Sequence, residues 1–242
     1  TYQKKKKYCG SCPVSELRIK GMLGTSFIDW SKGISSVIFL GGCNFRCPFC
    51  HNRELVINKP DGCMEQEWVL NHLNKYKKWV ERVTISGGEP TVCRGLGELL
   101  GTIKKIGLSI KLDTNGSKPD TLKELISKGL LDFVAMDIKG PLNNYGKYCG
   151  VEVDKDYIED SLNTIINCGI GYEFRTTYVP GLHSEDDLYA VAEYLKAKEV
   201  KNYKIQWFQP KNTLEPSYMD IKPVSKQTAE HIKKSVGLIF KD

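Results

Sequence analysis

From Ser35 onward, short β-branched and apolar runs alternate with helix-period segments, and no other feature restricts the possible folds of this chain as strongly. The runs fall at 36–40, 82–86, 109–113, 133–137, 172–179 and 203–208. Each is nearly continuous in apolar residues at its centre, as strands covered on both faces are. Helical patterns follow at 65–76, 96–106, 121–128, 157–167, 185–197 and 226–236. Pro119-Asp120 opens one of them, and Gly129 and Gly169 close others as left-handed caps. Successive βα units with right-handed crossovers predict an α/β chain, a partial (β/α)6 barrel of parallel strands open on one side. Residues 35–242 are assigned to this core domain and its C-terminal helix. Residues 1–34 form a short N-terminal extension with room for a hairpin. Reaction centres in such folds sit at the carboxyl ends of the strands, so the residues just after each strand are the ones to read.

The chain has 242 residues, enough for one sizeable core. Its net charge of +6 invites a nucleic-acid reading, but much of the excess lies in the run from Lys4 to Lys7. Aromatic residues do not interleave with a basic stripe, and nucleic acid is not expected as a partner. Neither a membrane-spanning apolar run nor a signal-peptide pattern is present, so a cytoplasmic protein is expected. The chain opens without Met and is read as starting inside a longer natural sequence. Nine cysteines without a secretory signal point to metal or redox chemistry rather than to a disulfide framework.

Directly after the first run comes Gly41-Gly42-Cys43-Asn44-Phe45-Arg46-Cys47-Pro48-Phe49-Cys50-His51-Asn52. Thiolates are the soft ligands that iron–sulfur clusters select, and a four-iron cubane ordinarily takes four of them. Three cysteines leave one iron open, and an open coordination position separates catalytic metal centres from structural ones. The competing readings are a zinc site or a set of buried thiols. Zinc asks for a fourth ligand at a second paired spacing, which His51, adjacent to Cys50, is too close to supply.

Three further polar motifs end consecutive runs: Ser86-Gly87-Gly88-Glu89-Pro90, Asp113-Thr114-Asn115-Gly116 and Asp137-Ile138-Lys139-Gly140. Glycines let the backbone approach a ligand closely, and a carboxylate there can hold an ammonium group. Taken singly, Asp113 reads as a turn residue and Lys139 as a solvated loop cation. Their recurrence at successive strand ends favours a shared site.

The Cys-x3-Cys-x2-Cys motif with His51-Asn52, together with these strand-end motifs, resembles the radical S-adenosylmethionine (SAM) superfamily. Within it the chain looks like the activating enzymes of glycyl-radical enzymes, typified by pyruvate formate-lyase activating enzyme. It is most similar to the anaerobic ribonucleoside-triphosphate reductase activating proteins, over roughly Gly24 to Pro210. The resemblance implies a 4Fe–4S cluster on Cys43, Cys47 and Cys50 and reductive cleavage of SAM. It also implies a SAM site made by Phe49 beside the adenine, by Gly87, Gly88 and Glu89 at the amino group, and by Lys139 at the carboxylate. Asp113 and Asp137 would help bind a monovalent cation, Na+ or K+. The implied partners are a glycyl-radical enzyme, anaerobic ribonucleotide reductase, and an electron donor such as flavodoxin or ferredoxin. The alternative within the superfamily is a small molecule or modified nucleoside as substrate.

Larger activating enzymes of this kind insert a cysteine-rich, ferredoxin-like segment, whereas here only Cys63 lies between Cys50 and Gly87, so clusters there are excluded. Cys9-Gly10-Ser11-Cys12 lies outside the family core and reads either as half of a zinc or cluster site or as a pair of surface thiols. Arg175 to Gly181 and Gln206 to Pro210 also resemble the reductase-activating group. Trp207 and Phe208 read equally as core, and His183 and Gln209 as loop polar groups. Cys168 reads as packing, and Cys93 as a thiol near the presumed site.

Overall fold

The structure, a computed structural model, describes residues 8–9, 17–30, 33–57 and 62–240. Its strands are β1 (Tyr8–Cys9), β2 (Ile19–Ser26), β3 (Ser35–Leu40), β4 (Cys63–Met64), β5 (Arg82–Gly87), β6 (Ser109–Thr114), β7 (Phe133–Asp137), β8 (Gly171–Tyr178) and β9 (Tyr203–Trp207). Its α-helices are α1 (Arg53–Ile57), α2 (Gln66–Tyr76), α3 (Leu96–Ile106), α4 (Pro119–Ser127), α5 (Tyr145–Cys149), α6 (Lys155–Asn167), α7 (Glu185–Ala197) and α8 (Lys226–Ile239). The six expected runs are β3, β5, β6, β7, β8 and β9, within a residue at either end.

Two compact units make up the chain. The first combines Thr1–Asn44, Glu54–Asp113 and Glu124–Phe133. Its strands run in the order β1-β4-β2-β3-β5-β6. β3 pairs parallel with β5, and β5 with β6, as βα units require. β2, which comes from the N-terminal extension, pairs antiparallel with β3, with irregularities between Ile19 and Gly21 and between Leu23 and Ser26. The interior is built from Val37, Ile38 and Leu40 of β3, Val83 and Ile85 of β5 and Leu99, Leu100 and Ile103 of α3, all fully buried. Each such side chain contributes about 1.5–3 kcal/mol on leaving water. α3 is bounded by Gly95 and Gly107, both left-handed.

The second unit combines Phe45–Arg53, Thr114–Lys123 and Val134–Asp242. β8 pairs parallel with β9, and the Ile138 N–H just after β7 donates to the Arg175 carbonyl of β8 at 2.8 Å. α7 and α8 cover β9: Leu188, Ala192, Ile232 and Val236 pack with Tyr178, and Tyr203, Ile205 and Trp207 lie against that cluster. Trp207 is therefore a packing residue, half of what its aromatic run allowed.

Helix boundaries follow local chemistry. α4 starts at Pro119, whose fixed φ suits the first helical position. α6 starts at Lys155, before the expected 157, because the Asp154 side chain accepts from the Asp156 N–H. α7 opens on a capping box between Ser184 and Asp187. α8 runs on through Gly237 to Ile239.

Candidate active site

In the first unit, β3 delivers Gly41, Gly42 and Cys43, and β5 delivers Gly87, Gly88 and Glu89 beside them. Backbone bonds fasten the two loops together. The Gly88 N–H donates to the Leu40 carbonyl at 2.9 Å and the Glu89 N–H to the Gly42 carbonyl at 2.7 Å. No side chain fits between them: a Cβ on Gly87, at φ +129°, would lie 2.2 Å from the Leu40 carbonyl oxygen. One on Gly88 would lie 2.0 Å from the Gly42 oxygen and 3.2 Å from Cys43 Cβ. The two glycines thus set the position from which Cys43 leaves its strand.

Glu89 is buried, and its Oε1 accepts from the N–H and the hydroxyl of Thr91, capping the turn Pro90–Val92. Cys93 turns its thiol towards the Gly41 carbonyl at 3.6 Å. Burial, with Glu89 adding to it, pushes that thiol up to about 11, so Cys93 is a neutral packing group at physiological pH. Asp113 is the penultimate residue of β6, 3.5 Å from Lys111 Nζ.

In the second unit, the stretch from Phe45 to His51 is braced from several sides. The Arg46 N–H donates to the Cys149 carbonyl at 2.8 Å, the Cys50 N–H to Cys47 at 3.0 Å, and the Leu214 and Glu215 N–H groups to Cys50 and Pro48 at 2.9 Å each. The His51 ring stacks on Phe208, with centroids 5.4 Å apart, and hydrogen-bonds the Gln209 carbonyl. The segment after β9 therefore holds the two cysteines in place, a role that its sequence did not announce.

Asp137, at the end of β7, is the hub of an ionic chain. Its Oδ2 receives Lys139 Nζ at 2.9 Å and its Oδ1 receives Arg175 Nε at 2.8 Å. The chain runs on through Glu173, 3.8 Å from Arg175, to Lys204, 2.7 Å from Glu173. Burial pushes the Asp137 carboxyl up, but Arg175 and Lys139 outweigh it and hold the group below the usual carboxylate range. Burial lowers Lys139, and Asp137 and then Cys47 more than restore it, so Lys139 is held above the ordinary lysine range.

Lys139 is also placed by its main chain. Its N–H donates to the Tyr145 hydroxyl at 3.0 Å, and its carbonyl accepts from His183 Nε2 at 2.8 Å. His183 Nδ1 accepts from the Val179 N–H at 3.1 Å, which fixes the tautomer with the proton on Nε2. The buried His183 ring stacks on Tyr148, 4.7 Å away, and receives the edge of Phe49 at 6.2 Å. Tyr145 and Tyr148 of α5 are site-supporting residues that sequence reasoning missed. Gly140 was their one signal, since a Cβ there would strike the Tyr148 ring at 2.4 Å.

The donor set suits an iron–sulfur cluster: three thiols on one short loop, Cys47 nearly buried, and a cation beside it. A model of the Radical SAM superfamily matches residues 37–195. A protein of Methanocaldococcus jannaschii, provisionally named a glycyl-radical enzyme activating enzyme, is 33% identical over 214 residues, covering 86% of this chain and 87% of its own. The pyruvate formate-lyase-activating enzyme of Clostridium pasteurianum is 28% identical over 203 residues, covering 81% of this chain and 83% of that one. The crystal structure of Streptococcus suis SuiB bound to precursor peptide SuiA superposes with a TM-score of 0.64 at 16% identity. That match covers 84% of this chain, which spans 46% of SuiB, and it shows a shared α/β fold. The chain belongs to the radical SAM superfamily. Membership implies a 4Fe–4S cluster and SAM, which when bound supply one-electron cleavage of the sulfonium to methionine and a 5'-deoxyadenosyl radical. Among the described residues, no helix is long and apolar enough to cross a membrane.

Proposed function

We propose that this protein is a glycyl-radical enzyme activating enzyme, removing a hydrogen atom from a backbone glycine of a partner enzyme, an anaerobic ribonucleotide reductase. The observation that carries this reading is the similarity along nearly the whole of both chains to the provisionally named archaeal activating enzyme. The pyruvate formate-lyase-activating enzyme, similar over four-fifths of both chains, supports it.

In this reading Cys43, Cys47 and Cys50 hold the cluster. Gly87, Gly88 and Glu89 meet the amino group of SAM, with the Glu89 carboxylate held in place by Thr91. Lys139 meets the carboxylate, and Phe49 packs beside the adenine, supported from behind by His183. Asp113 and Asp137 are the candidates for a monovalent cation, Na+ or K+, although Lys111 already lies 3.5 Å from Asp113. Both oxygens of Asp137 already carry cationic partners, so an added Na+ or K+ there would have to share them. A flavodoxin or ferredoxin supplies the electron, and the reaction takes place in the cytoplasm.

The test combines reconstituted, reduced protein, SAM and an anaerobic ribonucleotide reductase, and reads the glycyl-radical doublet by electron paramagnetic resonance. The reading predicts a doublet that requires both proteins. Consumption of SAM with modification of a nucleotide, and no doublet, would establish the small-molecule alternative instead.

A further inference from the structure

Cys12 of the Cys9-Cys12 pair lies outside the described residues, and no site is assigned to that pair. In the second unit the strands run in the order β7-β8-β9. β9 pairs with β8 alone, in parallel and without a register shift from Phe174 and Tyr203 to Tyr178 and Trp207. Along a strand, successive residues turn their N–H and C=O groups to opposite edges. The Asn202 carbonyl accepts from the Phe174 N–H, and the Phe208 N–H donates to the Tyr178 carbonyl, so the even-numbered residues face β8. Tyr203, Ile205 and Trp207 therefore turn their N–H and C=O groups to the outer edge, where no backbone partner meets them among the described residues. β9 holds neither a proline nor a bulge, features that bar a further strand.

The two faces beside that edge differ. Lys204 and Gln206 project on one face and are exposed, with Lys204 reaching Glu173 at 2.7 Å. Tyr203, Ile205 and Trp207 project on the other, half-buried against the cluster of α7 and α8. From Lys201 to Lys211 the sequence holds three lysines, all exposed, and no acid. At its carboxyl end β9 passes into Phe208 and Gln209, which hold the His51 ring next to Cys50.

We propose that the outer edge of β9 receives an extended segment of a partner protein as a further strand, one that alternates acidic with apolar residues. The main-chain groups of Tyr203, Ile205 and Trp207 supply the pairing, and the alternate side chains of the segment select the partner. Its acidic side chains answer Lys201, Lys204 and Lys211, and its apolar ones extend the half-buried face of Ile205 and Trp207. The inference rests on the proposed reading, in which the substrate is a polypeptide, and it names where that polypeptide is held, on a strand that leads to the cysteine loop. A small-molecule substrate has no use for a row of strand donors and acceptors.

The test uses full-length protein loaded with iron and sulfide, and a fluorescent decapeptide alternating aspartate with valine, read by anisotropy. The proposal predicts saturable binding. N-methyl groups on one set of alternate peptide residues should abolish it and those on the other set should not, because only one edge of the peptide pairs. Lys201→Glu combined with Lys211→Glu should weaken binding about tenfold, and a peptide alternating lysine with valine should not bind. In the assay with ribonucleotide reductase, the peptide should suppress the glycyl-radical doublet while 5'-deoxyadenosine still forms from SAM. Absence of binding, binding indifferent to N-methylation, or a doublet that saturating peptide leaves unchanged overturns the proposal. So does a dimer in sedimentation that the peptide disperses, which would place a second copy of the chain on β9. A wild type that yields no doublet without peptide counts against the proposed function instead, and the binding measurements then decide the role of β9.

Discussion

Gly88 and Gly42 meet backbone to backbone, so closely that a Cβ on Gly88 would sit 2.0 Å from the Gly42 carbonyl oxygen. The obstacle is main chain, which cannot rotate away as a side chain can. Gly88→Ala therefore has to push apart the loops after β3 and β5, at a cost of about 1–3 kcal/mol as for other overpacked sites. Because the residue next to Gly42 is Cys43, iron content after anaerobic reconstitution should fall along with stability. Urea unfolding and iron analysis of the same variant check both halves.

The Asp137 hub predicts a distinct acid limb. Its folded-state carboxyl lies below the ordinary range, so its contribution is present above a pH of about 4 and is lost as pH falls through the depressed folded value. Asp137→Asn leaves Lys139 and Arg175 partly buried and poorly compensated, which costs about 3–5 kcal/mol when such a pair is broken. Stability measured from pH 7 down to about 2 should fall in the variant and lose most of this acid dependence. An unchanged acid limb would remove Asp137 from the account.

His183 makes a prediction in a different pH window. Burial, outweighing its backbone hydrogen bonds, holds the ring below the ordinary histidine value, so the folded protein keeps it neutral while the unfolded chain takes up a proton. Its contribution is complete above a pH of about 6.5 and declines as pH falls below that. His183→Ala should cost about 2–4 kcal/mol through lost stacking and an unpaired Lys139 carbonyl. The variant's stability should also be flatter between pH 5 and 7, as chemical denaturation across that range will show.

The sequence motifs were legible because each stands at a strand end and each residue type has one clear chemical use. The cysteine spacing pointed to a cluster; Gly87 and Gly88 read as room for a ligand, whereas the space of each Cβ is filled by the backbone of Leu40 and Gly42. What the sequence hid is support across long separations. Leu214 and Glu215 hold the loop of Cys50 and Pro48 from more than 160 positions away, through main-chain groups that no side-chain pattern reveals. His183 looked like a loop polar residue because its partners are the backbone of Val179 and Lys139 and the ring of Tyr148. β2 was passed over because Gly21 and Gly24 interrupt its alternation where it bulges against β3.

Cys93 separates packing from ligation. Its thiol donates to the Gly41 carbonyl rather than acting as a nucleophile or metal ligand. Cys93→Ala should retain the full iron content of the wild type and lose about 1–2 kcal/mol of stability, as iron analysis and thermal melting will show.

The central claim is that Cys43, Cys47 and Cys50 form a SAM-cleaving centre. Its most direct test is to reconstitute the protein with iron and sulfide without oxygen, reduce it, add SAM, and measure 5'-deoxyadenosine and methionine by mass spectrometry, with Cys47→Ala alongside. The account predicts both products in equal amounts from the wild type and neither from the variant. A loaded, reduced cluster that yields neither product from the wild type would contradict it.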